Sequence, residues 1–296
     1  MSRHFRIKKW LTIWFTLFIL VFAIFLTLHF IDLTPKLAVE WKSLGHIPGH
    51  DQKVTPQGLE YIDGHLILSV SVNNKENVIY GLSLSDDSYV IDSMFVMPYE
   101  AVHTSGLAWD GQVLWAIDYM SDAIYRIDLE KSFETGRAAV TGRVATGLSG
   151  SSSITFCRIN GKSYLAVSDF MNSGYTYLVE ADKILTPTPV EDKAAHKYKN
   201  RFFSQGLMWD GTYLYEANGD LGHDTIYQID LQNALHSKDM KSSVVRKYRA
   251  PSRMVEDLAT NGSLVWTTDE ETLQIYQSTF PFPPPISPRN GDKTIH

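Results

Sequence analysis

One pattern recurs five times along this 296-residue chain, and it leaves few folds open. An apolar anchor (Leu59, Leu107, Ile154, Leu207, Leu258) precedes a turn dipeptide: Asp63-Gly64, Asp110-Gly111, Asn160-Gly161, Asp210-Gly211 or Asn261-Gly262. A β-rich run and a third apolar run follow each dipeptide. The anchors are 48, 47, 53 and 51 residues apart. Asp-Gly and Asn-Gly tolerate the positive φ of a type I′ turn, which suits the twist of a tight antiparallel hairpin. Four copies continue into a weaker fourth segment, such as YVIDSMFVM at 89–97 and SSVVRKYRA at 242–250. Four strands per repeat at this period specify a β-propeller, whose blades bury their faces only against one another. The fifth copy stops at TLQIYQS, while LAVEWKSLGHI at 37–47 precedes the first copy without a partner. That segment is expected to close the ring as the outer strand of the last blade. The expected fold is therefore all-β, a five-bladed β-propeller over residues 37–279, with no spare segment for a sixth blade. Two stretches fall outside the ring: TPTPVEDKAAHKYKN at 186–200 reads as a polar surface loop, and FPFPPPISPRNGDKTIH at 280–296 as a Pro-rich tail.

Ahead of the ring, residues 1–9 carry Arg3, Arg6, Lys8 and Lys9, and an uncharged apolar run extends from Trp10 to Phe30. At 1.5 Å per residue such a run crosses about 30 Å of hydrocarbon. The expectation is a cytoplasmic basic flank at 1–9, an N-terminal transmembrane helix at 10–31 as anchor, and a propeller on the far side, periplasmic or extracellular. The apolar run is longer than that of a signal peptide, and LHFIDLTPK offers no small-x-small cleavage site. A formal net charge of −6 argues against nucleic acid as a partner. The single cysteine, Cys157, excludes an intramolecular disulfide and any cysteine-based metal site, and reads as a buried apolar residue.

In an antiparallel hairpin, the start of the first strand and the end of the second lie at the same end. The first strands begin with Gln57, Ser105, the Ser151–Ser153 run, Gln205 and Glu256; the second strands end near Asp118, Asp169, Asn218 and Asp269. These residues are expected to surround one mouth of the axis as a polar pocket. Asp118, Asp169 and Asp269 suit either turn capping or a channel cation such as Ca²⁺, and both readings stand at this point. Glu256 is distinctive because the other copies carry Gln or Ser there, so packing does not demand a carboxylate. Trp109, Trp115, Trp209 and Trp266 belong to inter-blade core or to a pocket wall. No HExxH, P-loop, GxSxG or GxGxxG occurs, and only His103 and His223 fall near the mouth.

The stretch FFSQGLMWDGTYLYEANGDLGHDTIYQIDL at 202–231 resembles the motif-bearing blade of the plant and bacterial type of glutaminyl-peptide cyclotransferases. Phe203, Gln205, Gly206, Leu207, Leu214, Tyr215, Glu216, Gly219 and Gly222 carry the match. That family is a five-bladed propeller whose next blade holds a Glu-Gly-Leu motif with the catalytic acid. Glu256-Asp257-Leu258 occupies that place here. The motif-bearing blade comes fourth rather than first, which implies either a permuted order or a likeness shared among propeller blades; Ala217-Asn218-Gly219 replaces Ser-Thr-Gly, and Asp257 replaces glycine. The resemblance implies cyclisation of an N-terminal glutamine to pyroglutamate with release of ammonia. Glu256 would be the catalytic proton relay, Gln205 and Asn218 would bind the amide oxygen, and Trp209 or Trp266 would pack the methylenes. Gln57 joins them as a pocket residue. No cofactor and no metal are required, and the partner is a small molecule or a peptide N-terminus in the axial pocket. Two other readings stand beside this one: a non-catalytic ligand- or protein-binding propeller, and a Ca²⁺-dependent lactonase or esterase of the six-bladed kind.

Overall fold

Short β-forming runs separated by Gly-containing turns cannot bury both faces alone, and this chain stacks five sheets to do so. The computed structural model describes residues 14–21, 35–49, 53–170, 174–200, 203–218 and 225–279. The chain divides into two units, residues 1–35 and Lys36–His296. In the first, residues 14–21 form helix α1, with exposed side chains. Among the described residues no helix is long and apolar enough to cross a membrane; most of the anchor expected at 10–31 lies outside them.

The second unit opens with β1 (Lys42–His46). Blade one is β2 (Val54–Ile62), β3 (His65–Val72), β4 (Glu76–Leu84) and β5 (Tyr89–Val96). Blade two is β6 (Thr104–Trp109), β7 (Leu114–Asp118), β8 (Ala123–Asp128), helix α2 (Leu129–Thr135) and β9 (Ala139–Ala145). Blade three is β10 (Ser151–Ile159), β11 (Lys162–Asp169), β12 (Tyr175–Glu180), the single-turn helix α3 (Val190–Lys193) and β13 (His196–Lys199). Blade four is β14 (Ser204–Trp209), β15 (Leu214–Asn218), β16 (Thr225–Ile229), helix α4 (Leu231–Ser237) and β17 (Val244–Arg249). Blade five is β18 (Val255–Thr260), β19 (Val265–Asp269) and β20 (Gln274–Ser278). All five sheets have four strands, and the fifth runs β1-β20-β19-β18, so the segment at 37–47 does close the ring. The innermost strands β2, β6, β10, β14 and β18 pack in succession, and β18 returns to β2.

Two expectations are corrected. Type I′ turns hold in blades one and three, where Asp63-Gly64 and Asn160-Gly161 all have positive φ. In the other three blades the loops have four residues, because an Asx side chain takes over the turn. Asp110 Oδ1 accepts from the N–H groups of Gln112 and Val113; Asp210 and Asn261 do the same for their successors. The stretch at 186–200 is not a loop outside the ring. It contains α3 and β13, the outer strand of blade three, and each buries one side chain fully, Val190 and Tyr198. The tail expected at 280–296 lies outside the described residues.

Between blades the core is apolar and aromatic. Blades two and three enclose Ile117, Val144, Val167 and Tyr177; blades three and four enclose Cys157, Leu178, Tyr198 and Tyr227. Trp266 closes the last seam by stacking on Tyr61 of blade one, ring centroids 5.1 Å apart and planes 3° from parallel. Such a pair contributes roughly 0.5–1.5 kcal/mol beyond its area burial.

Candidate functional site

Every innermost strand breaks register at the same place. The ladder shifts between Pro56 and Leu59, Thr104 and Gly106, Ser151 and Ser153, Ser204 and Gly206, and Val255 and Leu258. A bulge re-aims the residue it throws out of the ladder. The displaced side chains include Gln57, Ser105, Ser152, Gln205 and Glu256, one from each blade. Together with His103, Tyr119, Phe170 and Glu270 they line one cavity of about 110 Å³. That is below the ~300–1,000 Å³ of ligand clefts, a size for the end of a chain rather than a whole drug-sized molecule.

The five equivalent positions divide by role. Ser105 donates to the Ser151 carbonyl at 3.2 Å and Ser152 to the Ser204 carbonyl at 2.6 Å, so both hydroxyls tie their blade to the next. Gln57 is 3% exposed and Glu256 1% exposed, and Gln205 donates from Nε2 to Glu256 Oε1 at 3.5 Å. Burial pushes the Glu256 carboxyl well above the usual range. The adjoining Glu270 carboxyl pushes it the same way, as do the charges of Asp269 and Asp257. Across the cavity the His103 imidazole is lowered by burial, against the opposing pull of Asp118. Its ring tilts against Tyr119, and Phe170 meets Phe203 edge-on.

Asp257, directly after Glu256, occupies the position held by Gly58, Gly106 and Gly206 in other blades. At those glycines a Cβ would lie 2.6–2.9 Å from backbone of the adjacent inner strand. Asp257 instead sends its carboxylate into the axis. Oδ2 accepts from Leu59 N at 3.0 Å and Leu107 N at 3.3 Å, and Oδ1 from Leu258 N at 2.9 Å. One buried side chain thus joins blades one, two and five. Its pKa is raised by burial, opposed by those three N–H bonds. Nearer the turns, Glu60 accepts from Tyr61 N and Trp109 N, both at 2.9 Å, linking blades one and two.

The remaining expected site residues lie elsewhere. Asn218 is buried at the same end of blade four, but it does not line the cavity; its Nδ2 donates to the fully buried Glu216 at 3.5 Å. Trp209 is half-buried at the turn end of β14 against the core of blades three and four. Trp266 sits in the blade-five to blade-one core, donating from Nε1 to Gln277 at 2.9 Å. Neither tryptophan lines the cavity, because each sits next to its hairpin turn, at the opposite end of the strand from the bulge. Asp118 and Asp269 cap turns: Asp118 accepts from His103 N and Ser121 N, and Asp269 from Thr272 N and Ser252 Oγ. Among the described residues no three His, Cys, Asp or Glu side chains group as a metal ion would need. Gly219, Gly222 and His223 lie outside the described residues.

Tyr119, Phe170 and Glu270 were not singled out from the sequence. Each directly follows the aspartate that ends its second strand, and their N–H groups bond to His103, Gly150 and Met254 carbonyls in the same way. Moving the repeat alignment one residue past Asp118, Asp169 and Asp269 would have found them.

No family model matches the chain, and no curated protein sequence matches it. Among solved structures, the glutaminyl cyclase of Myxococcus xanthus is similar with a TM-score of 0.57 at 14% identity, covering 82% of this chain and 97% of that one. A mitotic checkpoint complex chain (TM-score 0.45, 13% identity, covering 77% of each chain) and a nidogen/laminin complex chain (0.45, 15%, covering 80% of this chain and 78% of that one) are more distant. The first likeness shows a shared five-bladed propeller fold.

Proposed function

We propose that the propeller cyclises an N-terminal glutamine, releasing ammonia, in the manner of the glutaminyl-peptide cyclotransferases. The observation that carries this reading is the convergence of Gln57, Gln205 and Glu256 in one small cavity from three blades. Cyclisation needs an α-amine to reach the side-chain amide carbon, a group to take the amine proton, and a group to protonate the leaving nitrogen. A carboxyl whose affinity for a proton is raised by burial suits both transfers. The Gln57 and Gln205 amides can donate to the oxygen on which charge develops. Phe170 and Tyr119 supply apolar walls for the substrate methylenes. The apolar run at Trp10–Phe30 supports a further part of the proposal, that the chain is membrane-anchored with its propeller outside the cytoplasm.

The test is ammonia release from a glutaminyl dipeptide by the full chain. Turnover is expected, with a loss of at least ~100-fold in Glu256→Gln. Binding of the dipeptide without turnover would leave a binding propeller instead. Turnover that survives the substitution would remove Glu256 from the chemistry.

A further inference from the structure

The geometry points to Glu270 as a second catalytic group, forming with Glu256 a carboxyl pair that shares one proton and divides the two proton transfers between its members. The inference rests on the cyclisation reading. Glu256 comes from the bulge of β18 and Glu270 from the residue after β19, and both line the same cavity. Their carboxyl groups adjoin in that cavity, and the Glu270 charge raises the proton affinity of Glu256. Two ionised carboxylates so placed repel, and one proton held between them removes that repulsion. Glu256 is enclosed whereas Glu270 is only half-buried, so the two members differ in solvent access. In blades two and three, Tyr119 and Phe170 stand where Glu270 does.

The reaction balances with this pair. The α-nitrogen lone pair forms the bond to the amide carbon, and the C=O electrons move to oxygen. The ionised carboxyl takes the proton released from that nitrogen. The protonated carboxyl gives its proton to the leaving nitrogen as the C–N bond breaks and the C=O reforms. Ammonia departs, and the pair again holds one proton. Neither carboxyl has to carry a proton from one nitrogen to the other.

Two measurements test this on the full chain. In the first, infrared difference spectra against pH follow the protonated carboxyl absorption that Glu256→Gln abolishes. Its titration midpoint should fall by at least about one pH unit in Glu270→Gln, since a like-charged neighbour has gone. Asp257 and Asp269 on the same blade and His103 on blade two face this group and remain in both proteins. In the second, the pH profile of kcat/KM for the dipeptide should be bell-shaped in the parent. Glu270→Gln should move the descending limb to lower pH, in step with the infrared midpoint, and lose at least ~100-fold in rate. Urea unfolding confirms that the variant is folded. An unmoved midpoint and an unaltered profile in an active protein would overturn the pair and leave the cyclisation reading standing. A parent that releases no ammonia would overturn the catalytic role together with that reading.

Discussion

Glu60 shows how the ring tunes a single carboxyl. Burial pushes it up to about 7, with the N–H bonds from Tyr61 and Trp109 pulling the other way. The folded chain then holds this proton more tightly than the unfolded chain, where a glutamate titrates near 4.5. The associated stabilisation is complete below pH 4.5 and is lost as pH rises to about 7. The urea midpoint should therefore decline between pH 5 and 8, and decline less steeply in Glu60→Gln. Equal slopes would assign the pH dependence to other groups. At this scale the sequence was informative wherever a residue broke the repeat. Glu256 was visible because its counterparts are Gln and Ser. Asp257 was visible as a replaced glycine, but its grip on three blades was not, because Leu59 and Leu107 lie 198 and 150 residues away along the chain. Trp209 and Trp266 were misleading because aromatic side chains fill seams and pockets alike, and only strand position separates the two.

At the scale of the strand, glycines serve two separate purposes. Gly111 has φ +98° and open space around it, whereas a Cβ on Gly206 would sit 2.6 Å from the Glu256 carbonyl oxygen and Asp257 Cα. Gly111→Ala should cost about 1–2 kcal/mol through backbone strain and leave the cavity intact. Gly206→Ala should cost at least ~2 kcal/mol, because the obstacle is backbone that cannot rotate away, and should impair ammonia release by displacing β18. Urea unfolding and activity of the two variants compare these effects; equal activity losses would contradict the distinction. Strand order and the closing segment were legible from periodicity. The length of three hairpin loops was not, because an Asx side chain competing for backbone N–H groups is invisible to a dipeptide rule. β13 was missed because its charged residues face outward and leave Tyr198 as its one fully buried side chain.

At the scale of the molecule, the fifth sheet draws its outer strand from before the first blade. β1 and the residue directly after it supply Leu44 and Ile47 to the core, both nearly or fully buried, and Ser278 Oγ donates to the Glu40 carbonyl at 2.7 Å. Removing residues 36–47 forfeits about 3–6 kcal/mol from these two side chains alone, and leaves the outer edge of β20 unpaired. That approaches the ~5–15 kcal/mol stability of a typical domain. The truncated protein should unfold at markedly lower urea, and a peptide of residues 36–47 added in trans should restore the midpoint. An unchanged midpoint without the peptide would show that closure contributes little.

The same sheet imposes an order on biosynthesis. Glu40 and Ser278 meet across 238 residues, and a ribosome adding roughly 5–20 residues per second needs on the order of 10–50 s to cover that interval. Throughout that time the earliest strand waits without its hydrogen-bonding mate. A nascent polypeptide interrupted anywhere short of β20 has no clasp, so chaperones and proteases meet it as incomplete, and only the finished translation product can shut the circle.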